Sequence, residues 1–161
     1  MSSRISYVAI GGLTAAFYVV FTFVSAMVGL SSGVIQCRIS EALCVMPMFN
    51  SAAIPGLTIG CFFANLLVGG AFLDGVLGAV ATLIGAIGTW LLRNHRWIAP
   101  LCPVVSNMLI IPFVLQFVYG IHDLYWFLVL TVGVGEFISA YLLGQLVYSL
   151  IIQRNLMSVE E

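Results

Sequence analysis

The sequence predicts an all-α integral membrane protein, a six-helix transmembrane bundle with short second and third helices. Three observations carry that expectation. Of the 161 residues, 62% are hydrophobic and 7% are charged, and the mean hydropathy is +1.17, so the chain cannot clothe a soluble domain in polar side chains. Apolar runs of the roughly 17 to 25 residues that a spanning helix needs recur along it. Most of its arginines stand beside the ends of those runs. Residues 1–161 read as one transmembrane domain.

Four runs are long enough to span. The first, Tyr7 to Leu30, follows Arg4 and contains Val24-Ser25-Ala26, which looks like a signal-peptide cleavage site, but the run is too long for a signal core. Phe72 to Leu92, Ile98 to Tyr119 and Leu124 to Ile152 supply the others. Between the first and second of these, Ile39 to Phe49 is too short to cross comfortably and Ile54 to Val68 is marginal, with Pro47 and Pro55 interrupting. These two are expected as short helices packed inside the bundle. Arg4, Arg93, Arg96 and Arg154 flank helix ends, and positive flanks stay cytoplasmic. That puts both termini inside and leaves Arg38 as the one arginine on the outer side.

Several chemistries are excluded or disfavoured by what is absent. The chain has no lysine, hence neither the lysine of a phosphate-binding loop nor a Schiff-base nucleophile. It has no Ser/His/Asp arrangement, and His95 and His122 fall in loops on opposite sides, so it is not read as an enzyme. Cys37, Cys44, Cys61 and Cys102 are spaced as small buried hydrophobes, not as metal ligands or disulfides. No metal or cofactor is expected. A net charge of −1 without a basic cluster points away from nucleic acid.

Ionisable groups inside a bilayer are costly and usually face a bundle interior or a polar cavity. Arg38, Glu41, Asn65, Asp74 and Gln116 fall within about two turns of the outer surface, counting the rise of a helix. Asn107 and Glu136 lie deeper, about 18 Å down, where they can face one another at the floor of a cavity. Arg38 and Glu41 could instead form a self-neutralising pair three residues apart, and Asp74 could cap its helix. Glu136 at that depth needs a hydrogen-bonding partner, a proton or a ligand. Trp126, Tyr125, Phe127 and Tyr119 suit an interfacial aromatic belt, or faces on which a flat ligand stacks.

Small residues recur at helical spacing. Gly11, Ala15, Thr22 and Ala26 share a face of the first helix with Gly12 and Ala16 beside them, and Gly78, Thr82, Gly85 and Thr89 repeat the pattern later. Such faces let a helix approach closely, within the bundle or from a membrane partner.

Five stretches together resemble the queuosine precursor transporter (QueT) family, substrate-binding S components of energy-coupling factor (ECF) transporters. They are IQCRISEAL at 35–43, IPGLTIGCFFANL at 54–66, LDGVLGAVATL at 73–83, PVVSN at 103–107 and VGEF at 134–137. Gly69-Gly70 departs from the pattern. The resemblance implies one outward-opening site for queuine or a related 7-deazaguanine, a membrane coupling protein (EcfT type) and two cytoplasmic ATPases, with Gly11, Gly12, Ala15 and Ala16 as docking surface. The candidate site is Glu136, Asn107, Arg38, Glu41, Asp74, Asn65, Gln36 and Trp126. Glu136 would accept from N1–H and the amine, Asn107 would bind O6 or a ring nitrogen, and Asp74 or Glu41 would meet an aminomethyl cation. Two alternatives stay open: a homodimeric ion- or proton-coupled transporter, and a scaffold subunit without a ligand.

Overall fold

The computed structural model describes residues 2–30, 37–69 and 71–159, and it is a helical bundle. Helices α1 (Ser2–Met27), α2 (Ala53–Val68), α3 (Phe72–Leu91), α4 (Leu101–Phe117), α5 (Tyr125–Glu136) and α6 (Gly144–Gln153) are joined by two less regular segments. One is a 3-10 helix, Ile39–Met48; the other is a π segment, Phe137–Leu143, that makes α5 and α6 one continuous rod. Three helices are long and apolar enough to cross a membrane: Arg4–Met27, Phe72–Leu91 and Tyr125–Gln153. The expected Ile98–Tyr119 span is shorter, because residues 96–100 form turns and Pro100 stands at the N-cap.

The chain runs up through α1, down the 3-10 helix, up α2, down α3, up α4 and down α5–α6. We call the end holding Met27, Val68, Phe72, Phe117 and Tyr125 the upper end. At the lower end Phe49, Met48 and Val45 pack with Ala99 and Ile151. Phe17, Val20 and Val24 on α1 and Leu130, Leu146 and Leu150 on α5–α6 are exposed apolar residues, the surface a bilayer covers.

Small residues set the helix spacing, as expected. A Cβ at Gly56 would meet the Gly11 backbone and one at Gly60 the backbone of Ala15 and the Cβ of Tyr18 at 2.9 Å, so α1 and α2 run parallel in backbone contact. A Cβ at Gly85 would lie 2.6 Å from the Cα of Pro103, which brings α3 equally close to α4.

Residues 39–48 form a 3-10 helix instead of a conventional short helix. Runs of this form beyond one turn or so are uncommon, and at about 2.0 Å per residue this one is stretched to roughly 20 Å. Its start is held by other elements: Ile39 N donates to Ser25 Oγ at 2.9 Å, and Arg38 N to Ser139 Oγ at 3.1 Å. Most of its length is buried. The last predicted span, Leu124 to Ile152, is a single rod but not a uniform α-helix. Its π segment begins directly after Glu136, where Ser139 turns to the Arg38 backbone and Phe137 stacks on Tyr141 at 4.8 Å. Such bulges inside helices concentrate at functional sites.

Candidate functional site

Two connected cavities occupy the upper half of the bundle. The inner one is a crevice of about 20 Å³, lined by Arg38, Glu41, Cys61, Asn65, Gly78, Thr82, Asn107, Ile111, Val132 and Glu136. It has room for about one water. The outer one is a vestibule of about 540 Å³ walled by Val68, Ile111, Val114, Leu115, Ile121 and Tyr119, with Asp74 among its lining residues. That is the volume of a small-molecule pocket. Arg38, Asn65 and Ile111 line both, so they form the neck between them.

The neck is closed by a hydrogen bond. Arg38 Nη1 donates to Asn65 Oδ1 at 2.6 Å, and Asn65 Nδ2 reaches the Asp74 carbonyl at 3.4 Å. Asn65 lies where it does because Gly78 opposite has no side chain: a Cβ there would be 2.3 Å from Asn65 Nδ2.

Arg38 and Glu41 feel one another across the crevice, but among the described residues no hydrogen bond or ion pair joins them. Glu41 is 3% exposed and accepts from the Tyr18 hydroxyl and from Cys44 Sγ, the latter at 3.2 Å, while Arg38 turns to Asn65. Nor does Arg38 lie well above Glu136. Cys37 Sγ faces the Gly135 carbonyl at 3.9 Å and Arg38 N meets Ser139, so Arg38 enters the bundle at the level of Glu136. Counting from helix ends misplaced it, because residues 37–38 re-enter the bundle before the 3-10 helix begins.

The crevice floor matches the sequence expectation for depth. Thr82, Asn107 and Glu136 stand ten or eleven residues from Phe72, Phe117 and Tyr125, about 15 to 17 Å of helix. Asn107 approaches Glu136, yet Glu136 Oε2 is buried without a hydrogen-bond partner, and so is Thr82 Oγ1. Only one other buried side-chain oxygen or nitrogen among the described residues shares that condition, Gln145 Oε1. Its amide nitrogen is bound to the Arg96 carbonyl at 2.6 Å, away from the cavities.

Asp74 sits in the first turn of α3 but does not cap it. Its Oδ2 accepts from the Tyr119 hydroxyl at 2.8 Å. Burial, with the bond to Asp74 behind it, pushes the Tyr119 phenol up to about 12, so the phenol keeps its proton and the bond at neutral pH. A bonded but buried carboxylate thus faces the vestibule.

Glu136, Asn107, Arg38, Glu41, Asp74 and Asn65 are therefore brought together around the two cavities. Trp126 is not. It is 75% exposed, edge-on to Tyr125, and lines neither cavity. The vestibule offers aliphatic faces and Tyr119 in its place. Gln36 lies outside the described residues, as does Gly70. Of the aromatics expected either in a belt or as stacking faces, Tyr119 lines the vestibule; Tyr18, Cys61 and Ser139 were not among the expected site residues, and Thr82 was expected only in packing.

The docking set divides. Gly11 and Ala15 are against α2, whereas Gly12 has nothing within 4 Å of a built Cβ and Ala16 is exposed.

A sequence model described as QueT transporter matches residues 8–153. The chain belongs to the QueT transporter family. A curated relative, the queuosine precursor transporter QueT of Lactococcus lactis subsp. cremoris (strain MG1363), is 36% identical over 72 residues, 45% of this chain. The match spans 42% of that relative's length. No solved structure matches the chain. Membership makes the chain a transporter-family membrane protein, in keeping with its apolar helices and a buried polar cavity reached from one end of the bundle.

Proposed function

We propose that the chain is the substrate-binding membrane subunit of an ECF-type importer, capturing a 7-deazaguanine such as queuine or its aminomethyl precursor from outside. The observation that carries this is Glu136 Oε2, a buried oxygen without a hydrogen-bond partner at the floor of a crevice that continues into a pocket-sized vestibule. An unsatisfied buried carboxylate oxygen is costly unless something binds it. A deazaguanine presents N1–H and an exocyclic amine side by side, the donor edge of guanine, which a carboxylate accepts in register.

In this reading the ring lies between the aliphatic walls and presses its edge through the neck once Arg38 leaves Asn65. Asn107 binds O6 or a ring nitrogen. The substituent on the five-membered ring points back into the vestibule, where Asp74 meets its ammonium group. With Arg4, Arg93, Arg96 and Arg154 on the cytoplasmic side, the vestibule faces outward. Gly12 and Ala16 present the face on which a coupling protein, carrying two ATPases, would dock.

Titration of the purified chain in detergent with queuine, its aminomethyl and cyano precursors, guanine and riboflavin tests the substrate. Saturable binding confined to the deazaguanines is expected; none by a folded sample removes the reading. Docking is tested separately with Ala16→Trp, which should spare binding and abolish co-purification with a coupling protein. Ala15→Trp is unsuitable, since Ala15 packs on Gly60.

A further inference from the structure

The chain has six threonines, and five are satisfied in the manner usual for helices. Thr14, Thr22, Thr58 and Thr89 donate to the carbonyl four residues back at 2.8, 2.8, 2.9 and 3.0 Å, and Thr131 to the one three residues back at 3.1 Å. This is the local bond a helical hydroxyl makes when nothing else claims it. Thr82 is the exception. It is 1% exposed, in the middle of α3, and its Oγ1 makes no hydrogen bond. The Cys61 sulfur stands close enough to attract the Thr82 hydroxyl proton, but no hydrogen bond of ordinary geometry joins them, and a sulfur is a weak acceptor that leaves the Oγ1 lone pairs unused. A buried hydroxyl that forgoes a partner costs stability, and this one opens on the same crevice as Glu136 Oε2.

We infer that Thr82 is a ligand-contact residue whose hydroxyl and the Glu136 carboxylate hydrogen-bond the same ligand edge. The inference rests on the 7-deazaguanine reading of the site. That edge carries three hydrogens, one on N1 and two on the exocyclic amine. A carboxylate placed side-on takes N1–H and one amine hydrogen. The second amine hydrogen needs a further acceptor, and Thr82 Oγ1 is the hydroxyl oxygen left open in the crevice. Its own proton remains available to the Cys61 sulfur, which lines the same space. Thr82 thus distinguishes a ring that bears the amine from one that lacks it.

The test compares the wild type with Thr82→Val and Thr82→Ser in detergent. The ligands are 7-aminomethyl-7-deazaguanine and the same compound without the exocyclic amine, with calorimetric Kd and ligand-free melting temperature as readouts. Valine, of nearly equal shape, should keep or raise the melting temperature and weaken binding of the amine-bearing ligand about tenfold. Serine should restore it. For the ligand lacking the amine, valine should leave Kd within about twofold of wild type. Unchanged affinity of Thr82→Val for the amine-bearing ligand overturns the inference while the deazaguanine reading stands. So does equal weakening of both ligands, or a lowered melting temperature with unchanged Kd. A folded wild type that binds neither compound overturns the deazaguanine reading and this inference with it.

Discussion

Helix α3 carries one pattern twice: glycine followed four residues later by threonine, at Gly78 and Thr82 and again at Gly85 and Thr89, all on one buried face. The lower copy is packed and satisfied. Gly85 lies against Pro103, and Thr89 Oγ1 is shared between the Gly85 carbonyl at 3.0 Å and the Ala99 carbonyl at 3.2 Å. The upper copy is neither. Gly78 faces the Asn65 amide, a side chain that can move, and Thr82 is left without a partner beside the unpartnered Glu136. The same residues in the same helix serve cohesion at one level and leave polar atoms open at another. Polar atoms left open inside an otherwise well-satisfied core are where the proposed ligand would bond.

Substitutions that treat the two copies alike should separate them. Gly85→Ala pushes a Cβ into the Pro103 backbone, and should cost about 1 to 3 kcal/mol of stability, read as a lower melting temperature with ligand affinity unchanged in the folded fraction. Gly78→Ala pushes Asn65 instead, displacing the amide that holds Arg38. Its effect should fall on ligand binding, by about 1 to 2 kcal/mol, with little change in melting; the reverse pattern would erase the contrast between the copies. Smaller again is Tyr119→Phe, which strips Asp74 of its hydroxyl partner at the vestibule mouth and should alter affinity for a cationic ligand by about 0.5 to 1.5 kcal/mol, with less effect on an uncharged one. Trp126→Ala should change binding by less than about 0.5 kcal/mol; a larger loss would mean the ligand extends beyond the vestibule.

The bundle was legible because apolar runs, prolines and flanking arginines mark helices by length alone. Depth along a regular helix was legible too, and placed Asn107 and Glu136 together. The 3-10 form of residues 39–48 was not, because a short apolar pattern fits three- and four-residue spacing equally. The start of the segment is fixed from afar, by Ser25 and Ser139, side chains 14 and 101 residues from the atoms they bind. The π segment escaped for the same reason.

Within the site, charged and amide residues stood out because so few are present. Thr82, Tyr18 and Cys61 did not, since in an apolar helix a hydroxyl, a ring or a thiol at such a position is ordinarily packing. What separates Thr82 from Thr89 is the absence of a bond, which only coordinates reveal. Trp126 drew attention because an aromatic near a helix start looks alike whether it meets the membrane interface or a ligand.

The central claim is that the open polar atoms around Glu136 hold the ligand, and calorimetric titration of the wild type and Glu136→Gln with 7-aminomethyl-7-deazaguanine tests it most directly. Saturable binding by the wild type is expected, with a loss of about a hundredfold in the glutamine variant at an unchanged ligand-free melting temperature, since a charged acceptor on two donors is replaced by an amide. Equal affinity of a folded Glu136→Gln would contradict the account.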